Sequence, residues 1–157
     1  MDFRLLSDLP ENLSGKFILL RADLNVPVQN NEVSDYTRID RLKPSINFLK
    51  AKNARIVILS HFGRPKGQPD PEYSLSFLAP ILQERWSSKV SFSNDCCGEK
   101  TEKDKSLLKD GEVLLLENTR FYKGETENDP AFSKELARLG DYFVNDALSA
   151  AHRAHAS

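Results

Sequence analysis

The sequence predicts an α/β fold, a parallel sheet with helices on both faces, and three observations carry that expectation. Five short, largely apolar runs, at 16–22, 54–60, 89–93, 112–117 and 142–145, read as strands. The stretches between them carry helical spacing or capping signals. The resulting order, β-α-β-α-β-α-β-α-β, requires crossover connections and therefore parallel strands. Finally, Arg21-Ala22-Asp23-Leu24-Asn25, His61-Phe62-Gly63-Arg64-Pro65, Asn118-Thr119-Arg120-Phe121 and His152-Arg153 each follow an apolar run. Open parallel sheets bind ligands beyond the carboxyl ends of their strands. Arginines placed after four strands would meet there and suit a small polyanion, because guanidinium forks match phosphate and carboxylate oxygens in pairs.

The elements follow in order. Lys16 to Ala22 is a buried strand. Val26 to Val33 contains the turn signal Asn30-Asn31 and predicts a small hairpin. A helix is expected from about Arg38 to Lys52, with Ile39, Leu42, Ile46 and Leu49 as its apolar stripe. Pro44 either sits near its first turn, where a missing N–H costs little, or kinks it. Ala54 to Ser60 is a β-branched strand. Gly63 to Pro71, with three prolines and two glycines, is a loop. Ser74 is expected to cap a helix carrying Leu75, Leu78, Ile81 and Leu82. Lys89 to Ser93 is a weaker strand. The polar stretch from Asn94 to Asp110 reads as a loop with a short helix near Leu107 and Leu108. Glu112 to Glu117 is a strong strand. Asp129-Pro130 starts a helix by side-chain cap and N1 proline, Phe132, Leu136 and Leu139 mark its buried face, and Gly140 ends it. Tyr142 to Asn145 is the last strand. There is no internal repeat, low-complexity segment or clean linker, so residues 1–157 are expected to form one domain.

A chain of 157 residues can bury a real core, and 39% hydrophobic with 29% charged residues is a soluble balance. With 22 basic and 23 acidic residues the net charge is −1, which argues against nucleic acid and makes any anion site local. No stretch approaches the roughly 20 apolar residues of a membrane helix. The N-terminus lacks a signal peptide's apolar core, so a cytoplasmic location is expected. Cys96 and Cys97 are adjacent and outside any Cys-x-x-Cys or Cys/His ligand spacing, which predicts ordinary reduced thiols.

No Gly-x-x-x-x-Gly-Lys-[Ser/Thr] loop is present, and no Gly-x-Gly-x-x-Gly follows the first strand. Arg21 and Asp23 read either as a salt-bridged strand end or, with Asn25 on the same side of an extended segment, as groups for a ligand hydroxyl. His61 and Arg64 flank Gly63, which permits close backbone approach or positive φ. A lone histidine there is more often structural, but the His-x-Gly-Arg-Pro combination favours an anion site. Arg38 and Arg120 are either solvated or part of the same cluster. His152 and His155 are three apart on a possible helix, yet no third metal ligand suggests itself.

Together these motifs closely resemble phosphoglycerate kinase. The residues that carry the resemblance are Arg21-Ala-Asp-Leu-Asn-Val-Pro-Val28, Ser60-His-Phe-Gly-Arg-Pro-Lys-Gly67, Leu116-Glu-Asn-Thr-Arg-Phe121 and Asn145-Asp-Ala-Leu-Ser-Ala-Ala-His-Arg-Ala-His-Ala-Ser157. They stand in the family's order and spacing, and they match only its N-terminal domain. The resemblance implies a three-layer α/β/α, Rossmann-like domain that holds the glycerate substrate. A C-terminal nucleotide domain would be absent from this chain, which then reads as a fragment. The family transfers a phosphoryl group between 1,3-bisphosphoglycerate and ADP, giving 3-phosphoglycerate and ATP in glycolysis, with Mg2+ on the nucleotide. By motif, Asp23, Leu24 and Asn25 contact the glycerate, and Arg38 is the catalytic arginine. His61, Phe62, Gly63, Arg64, Arg120 and Arg153 hold the substrate, chiefly its phosphate. Phe62 stands where the family usually has leucine, and Leu148-Ser149-Ala150 replaces the usual Phe-Gly-Thr. The implied partners are the two glycerate phosphates and the C-terminal domain, with a monomeric state and no nucleic acid or membrane. The alternative is a stand-alone, non-catalytic binding module for small phosphorylated acids, and a degenerate interaction domain is a third possibility.

Overall fold

The computed structural model describes residues 3–4, 9–30, 32–63, 68, 70–95, 98–121, 134 and 136–145. Arg64, Arg153, His152, His155, Cys96, Cys97, Phe132, the Asp129-Pro130 helix start and Leu148-Ser149-Ala150 lie outside them.

The five expected strands form: β2 (Phe17–Arg21), β5 (Arg55–Leu59), β6 (Val90–Ser93), β7 (Val113–Leu116) and β8 (Tyr142–Asn145). A two-residue strand that the sequence did not announce, β1 (Phe3–Arg4), adds an edge. The six strands lie in the order β1-β8-β2-β5-β7-β6, and every pairing is parallel. The hairpin also forms, as an antiparallel pair of β3 (Val28–Gln29) and β4 (Glu32–Val33). Asn30 turns it with φ of 52°, a conformation asparagine tolerates.

Side chains on the central strands alternate strictly between two cores, as a sheet covered on both faces requires. Ile18, Leu20, Ile56, Ile58, Val113, Leu115 and Val144 face one core. Leu19, Val57, Leu59, Leu114, Leu116 and Phe143 face the other. The first core is covered by α1 (Thr37–Ala51) and α2 (Leu78–Trp86). The second takes in Leu108, Leu136 and Leu139. On that side α3 (Glu99–Ser106) approaches through buried Thr101, whose hydroxyl lies 3.5 Å from Ser93 Oγ.

Three local expectations need correction. Pro44 is the eighth of the fifteen residues of α1, beyond the first turn, where its ring occupies an exposed position. Ser74 does not cap α2. It ends a 3₁₀ turn, Pro71–Tyr73, capped by Asp70 inside the stretch read as loop, and its hydroxyl instead donates to Glu117 Oε2 at 2.7 Å. The short helix near Leu107 and Leu108 is α3, which stops just before them. Leu107 is 71% exposed whereas Leu108 is buried, because α3 itself is almost wholly polar and docks by its end.

Helix α1 is fixed to α2 by its buried side. Trp86 Nε1 donates to Ile39 O at 2.8 Å in the core. Outside it, Arg85 forks onto Asp40 at 2.7 and 2.6 Å and stacks 4.1 Å over Tyr36. Those hydrogen bonds hold the Asp40 carboxyl below the usual carboxylate range. The first turn of α1 is thereby held at the sheet edge.

Gly140, expected to end a helix, is also a packing point. A Cβ there would lie 2.7 Å from Leu19 Cβ and 2.9 Å from the Leu19 backbone nitrogen. Because backbone cannot step aside cheaply, Gly140→Ala should cost about 1–3 kcal/mol, the usual scale of overpacking. Urea denaturation of the variant beside the parent chain checks this, and an unchanged midpoint would contradict it.

Candidate functional site

Because β2, β5, β7 and β8 run in parallel, the segments that leave their carboxyl ends emerge along one edge of the sheet. Three of these segments are described, and they are tied to one another largely by polar groups. Ala22 N donates to Leu59 O at 2.9 Å, and Leu24 N donates to Ser60 Oγ at 3.0 Å. On the other side Thr119 donates to Ser60 O twice, from its N at 3.0 Å and from its Oγ1 at 3.1 Å. Ser60 thus joins all three, although sequence reasoning singled it out only as a strand end.

Asn118 is the second junction. Its Oδ1 accepts from Phe62 N at 3.2 Å and Arg120 N at 3.0 Å. Its Nδ2 donates to Phe62 O at 2.7 Å and Tyr73 O at 2.9 Å. Glu117, also buried, accepts from Leu75 N and Asn118 N, both at 2.9 Å, and from Ser74 Oγ. A buried carboxylate is tolerable there because its oxygens are met by donors.

The cationic residues sit on this frame. Arg38, in the first turn of α1, donates from Nη1 to Asp23 Oδ1 at 3.3 Å and to Asn25 O. Asp23 Oδ1 also accepts from Asn25 N at 3.1 Å. Asn25 Oδ1 accepts from Gly63 N at 2.9 Å, and Gly63 O accepts from Arg120 Nη1 at 3.1 Å. One chain of hydrogen bonds therefore runs from Arg38 through Asp23, Asn25 and Gly63 to Arg120. Arg38 is 43% exposed at the side chain, while Arg120 and His61 are buried. Beside Arg38 lies a cleft of about 650 Å³ lined by Asn25, Val26, Pro27, Asp35, Thr37, Arg38 and Arg41. Thr37 donates to Asp35 from both its N and its hydroxyl, and these bonds lower the Asp35 pKa.

Of the expected site residues, Asp23, Asn25, Arg38, Gly63 and Arg120 are thus brought into one network, and His61 lies in the same loop as Gly63. Leu24 and Phe62 enter it through their backbones only. The Leu24 side chain is in the first core, and the Phe62 ring packs edge-on to Phe77 at 5.5 Å. Arg41, Asn118, Glu117 and Tyr73 were not anticipated as contributors. Arg41 has a legible signal, one helical turn after Arg38. Asn118 stood within the Asn118-Thr119-Arg120-Phe121 motif, but its bonds to Phe62 and Tyr73 could not be read there, because they go to backbone atoms far along the chain.

Gly63 has two reasons to be glycine. Its φ is +62°, and a Cβ would fall 2.4 Å from Tyr73 Cδ1. Gly63→Ala should destabilise the chain by about 1–2 kcal/mol from the left-handed backbone alone, with the ring clash added. In a Tyr73→Ala background the clash vanishes and only the backbone cost stays. A double-mutant cycle of denaturation midpoints measures the difference; strictly additive effects would contradict the contact.

Comparison with known proteins identifies the family. A family model described as phosphoglycerate kinase matches residues 6–157. Phosphoglycerate kinases of Sinorhizobium fredii and Sinorhizobium medicae are 53% and 54% identical over all 157 residues. The chain spans 39% of the length of each of these curated relatives. The solved phosphoglycerate kinase of Coxiella burnetii superposes with a TM-score of 0.85 at 38% identity, over 99% of this chain and 38% of that one. The enzyme of Pyrococcus horikoshii OT3 gives 0.84 at 32% identity, again over 99% of this chain and 39% of that one. On the family match and these identities, the chain belongs to the phosphoglycerate kinase family.

Proposed function

We propose that this chain is the N-terminal, glycerate-binding part of a phosphoglycerate kinase. The reaction is phosphoryl transfer between 1,3-bisphosphoglycerate and ADP, giving 3-phosphoglycerate and ATP. The observation that supports it best is the continuous polar chain from Arg38 to Arg120 along the carboxyl edge of the sheet, beside an open cleft. Arg64 and Arg153 complete the patch by motif. By itself the chain binds 3-phosphoglycerate without turning it over.

Phosphoryl transfer asks little covalent work of a protein; positioning and neutralising spread charge carry most of it. Arg38 suits that task. Its guanidinium has five donors in a fixed fork, and Asp23 and Asn25 orient it through Nη1 alone. The rest of the fork is then available for the equatorial oxygens of the transferring group, where preorganised charge is worth most once water is excluded. Arg120, anchored to Gly63 O, Arg64 and Arg153 hold the phosphate that does not react. Asp23 and Asn25 meet the hydroxyl and carboxylate between the two ends. The second substrate is Mg2+ with ADP or ATP. By the resemblance, the nucleotide is held by the further length of the relatives. Closure of the two parts would align the reactants. No helix among the described residues is long and apolar enough to cross a membrane.

Titration of the labelled chain with 3-phosphoglycerate tests the site. Amide shifts should cluster at Asp23–Asn25, Arg38, His61–Arg64, Arg120 and Arg153, and affinity should fall as salt rises. Shifts on another face, or none at millimolar ligand, would sink the assignment. In parallel, a coupled assay of ATP formation by this chain alone should stay at background.

Arg38 and Arg64 should separate in a protein that spans the whole length of the relatives. Arg38→Ala should lower kcat by about 10³-fold or more, as loss of an arginine finger does. Arg64→Ala should act chiefly on KM for the glycerate, since it removes binding common to ground and transition states. Steady-state kinetics with the two effects exchanged would reverse the roles.

A further inference from the structure

We infer that Asn118 is a positioning residue for the anion site, one that sets the spacing between the His61–Gly63 loop and Arg120. The inference rests on the function proposed above. Asn118 is fully buried, and both ends of its amide are used: two backbone N–H groups on Oδ1 and two carbonyls on Nδ2. An amide offers two donors and an acceptor with two lone pairs, so its capacity is filled. The bonds divide in an informative way. Those to Phe62 N and Phe62 O grip both sides of one residue in the loop after β5. The bond from Arg120 N fixes the start of the arginine on the next segment. The bond to Tyr73 O holds the 3₁₀ turn whose ring closes over Gly63.

The same two segments meet a second time farther out, where Arg120 Nη1 donates to Gly63 O. Asn118 therefore sets the backbones and the guanidinium bond is made on top of it. Gly63 N is the point at which Asn25, and through it Arg38, joins. A shift of Phe62 and Gly63 relative to Arg120 moves one end of the cationic array against the other. A three-carbon ligand with an anionic group at each end, a phosphate at one and a carboxylate or acyl phosphate at the other, reads that spacing with both ends, whereas inorganic phosphate reads only one. No other amide side chain reaches the same four groups. Serine is too short to span them, and a carboxylate lacks the donors for Phe62 O and Tyr73 O.

The test uses the intact chain and compares Asn118→Ala with Asn118→Ser, which keeps a hydroxyl and leaves room for a water. Leu136→Ala, in the second core and away from this edge, controls for lost stability. In ligand-free protein, both Asn118 variants should shift the amides of Phe62, Gly63 and Arg120 together. Affinity for 3-phosphoglycerate should fall by about tenfold or more, the scale on which outer partners of a preorganised site act. Inorganic phosphate should lose less, and Leu136→Ala should leave both ligands within about twofold. If Asn118→Ala does not fold, Asn118→Ser carries the comparison. Unchanged Phe62 and Gly63 amides, or equal loss for the two ligands and for the Leu136 control, would overturn the positioning role while the site assignment stands. Failure of the parent chain to bind 3-phosphoglycerate would instead bring down the proposed function, and this role with it.

Discussion

The parallel ladder through β8, β2, β5 and β7 is the constraint on which everything else depends. Its side chains must fill two cores at once, so the strands are apolar at nearly every position and carry no ligand chemistry themselves. All reactive groups are displaced to the strand ends. Parallel direction then places those ends on one edge, and β5, between β2 and β7, becomes the centre of the site. This is why residues from 23 to 120 of the chain can form a single polar chain of contacts.

That edge raises a second problem, which the sequence answers with small polar residues. Segments leaving a buried sheet carry N–H and C=O groups that no ladder partners, and leaving them unmet would cost about 1–3 kcal/mol each. Ser60, Glu117, Asn118 and Thr119 are all buried and supply the missing partners. Satisfying the backbone in this way also ties the loops to one another, so the same hydrogen bonds serve stability and the geometry of the candidate site.

Sequence reasoning saw most of the strands because buried parallel strands are written as β-branched and leucine-rich runs, such as Arg55–Leu59 and Val113–Leu116. It placed α1 within a residue at each end from the stripe of Ile39, Leu42, Ile46 and Leu49. It misplaced α3, since Glu99–Ser106 has no apolar stripe to read and buries only Thr101. It gave Ser74 a cap because a serine before an apolar run looks the same whether it serves a helix or a distant glutamate. Arg38 was singled out by motif, and its contacts with Asp23 and Asn25 were not legible locally. Asn118 stood in a motif, but its junction role stayed hidden for a physical reason: its partners beyond Arg120 are backbone atoms 56 and 45 residues away, and a backbone atom leaves no trace in a sequence.

The electrostatics of the edge follow from the same economy. With a net charge of −1 the chain has no general field for an anion, so any such attraction has to be local. The frame holds its two described cations differently. Arg38 faces a carboxylate, Asp23, and stays partly solvated, so its charge is met both by an ion pair and by water. Arg120 is buried and donates from Nη1 to the carbonyl oxygen of Gly63. The same edge therefore holds one arginine exposed against a carboxylate and another buried against backbone, and both are joined through Asn25 and Gly63.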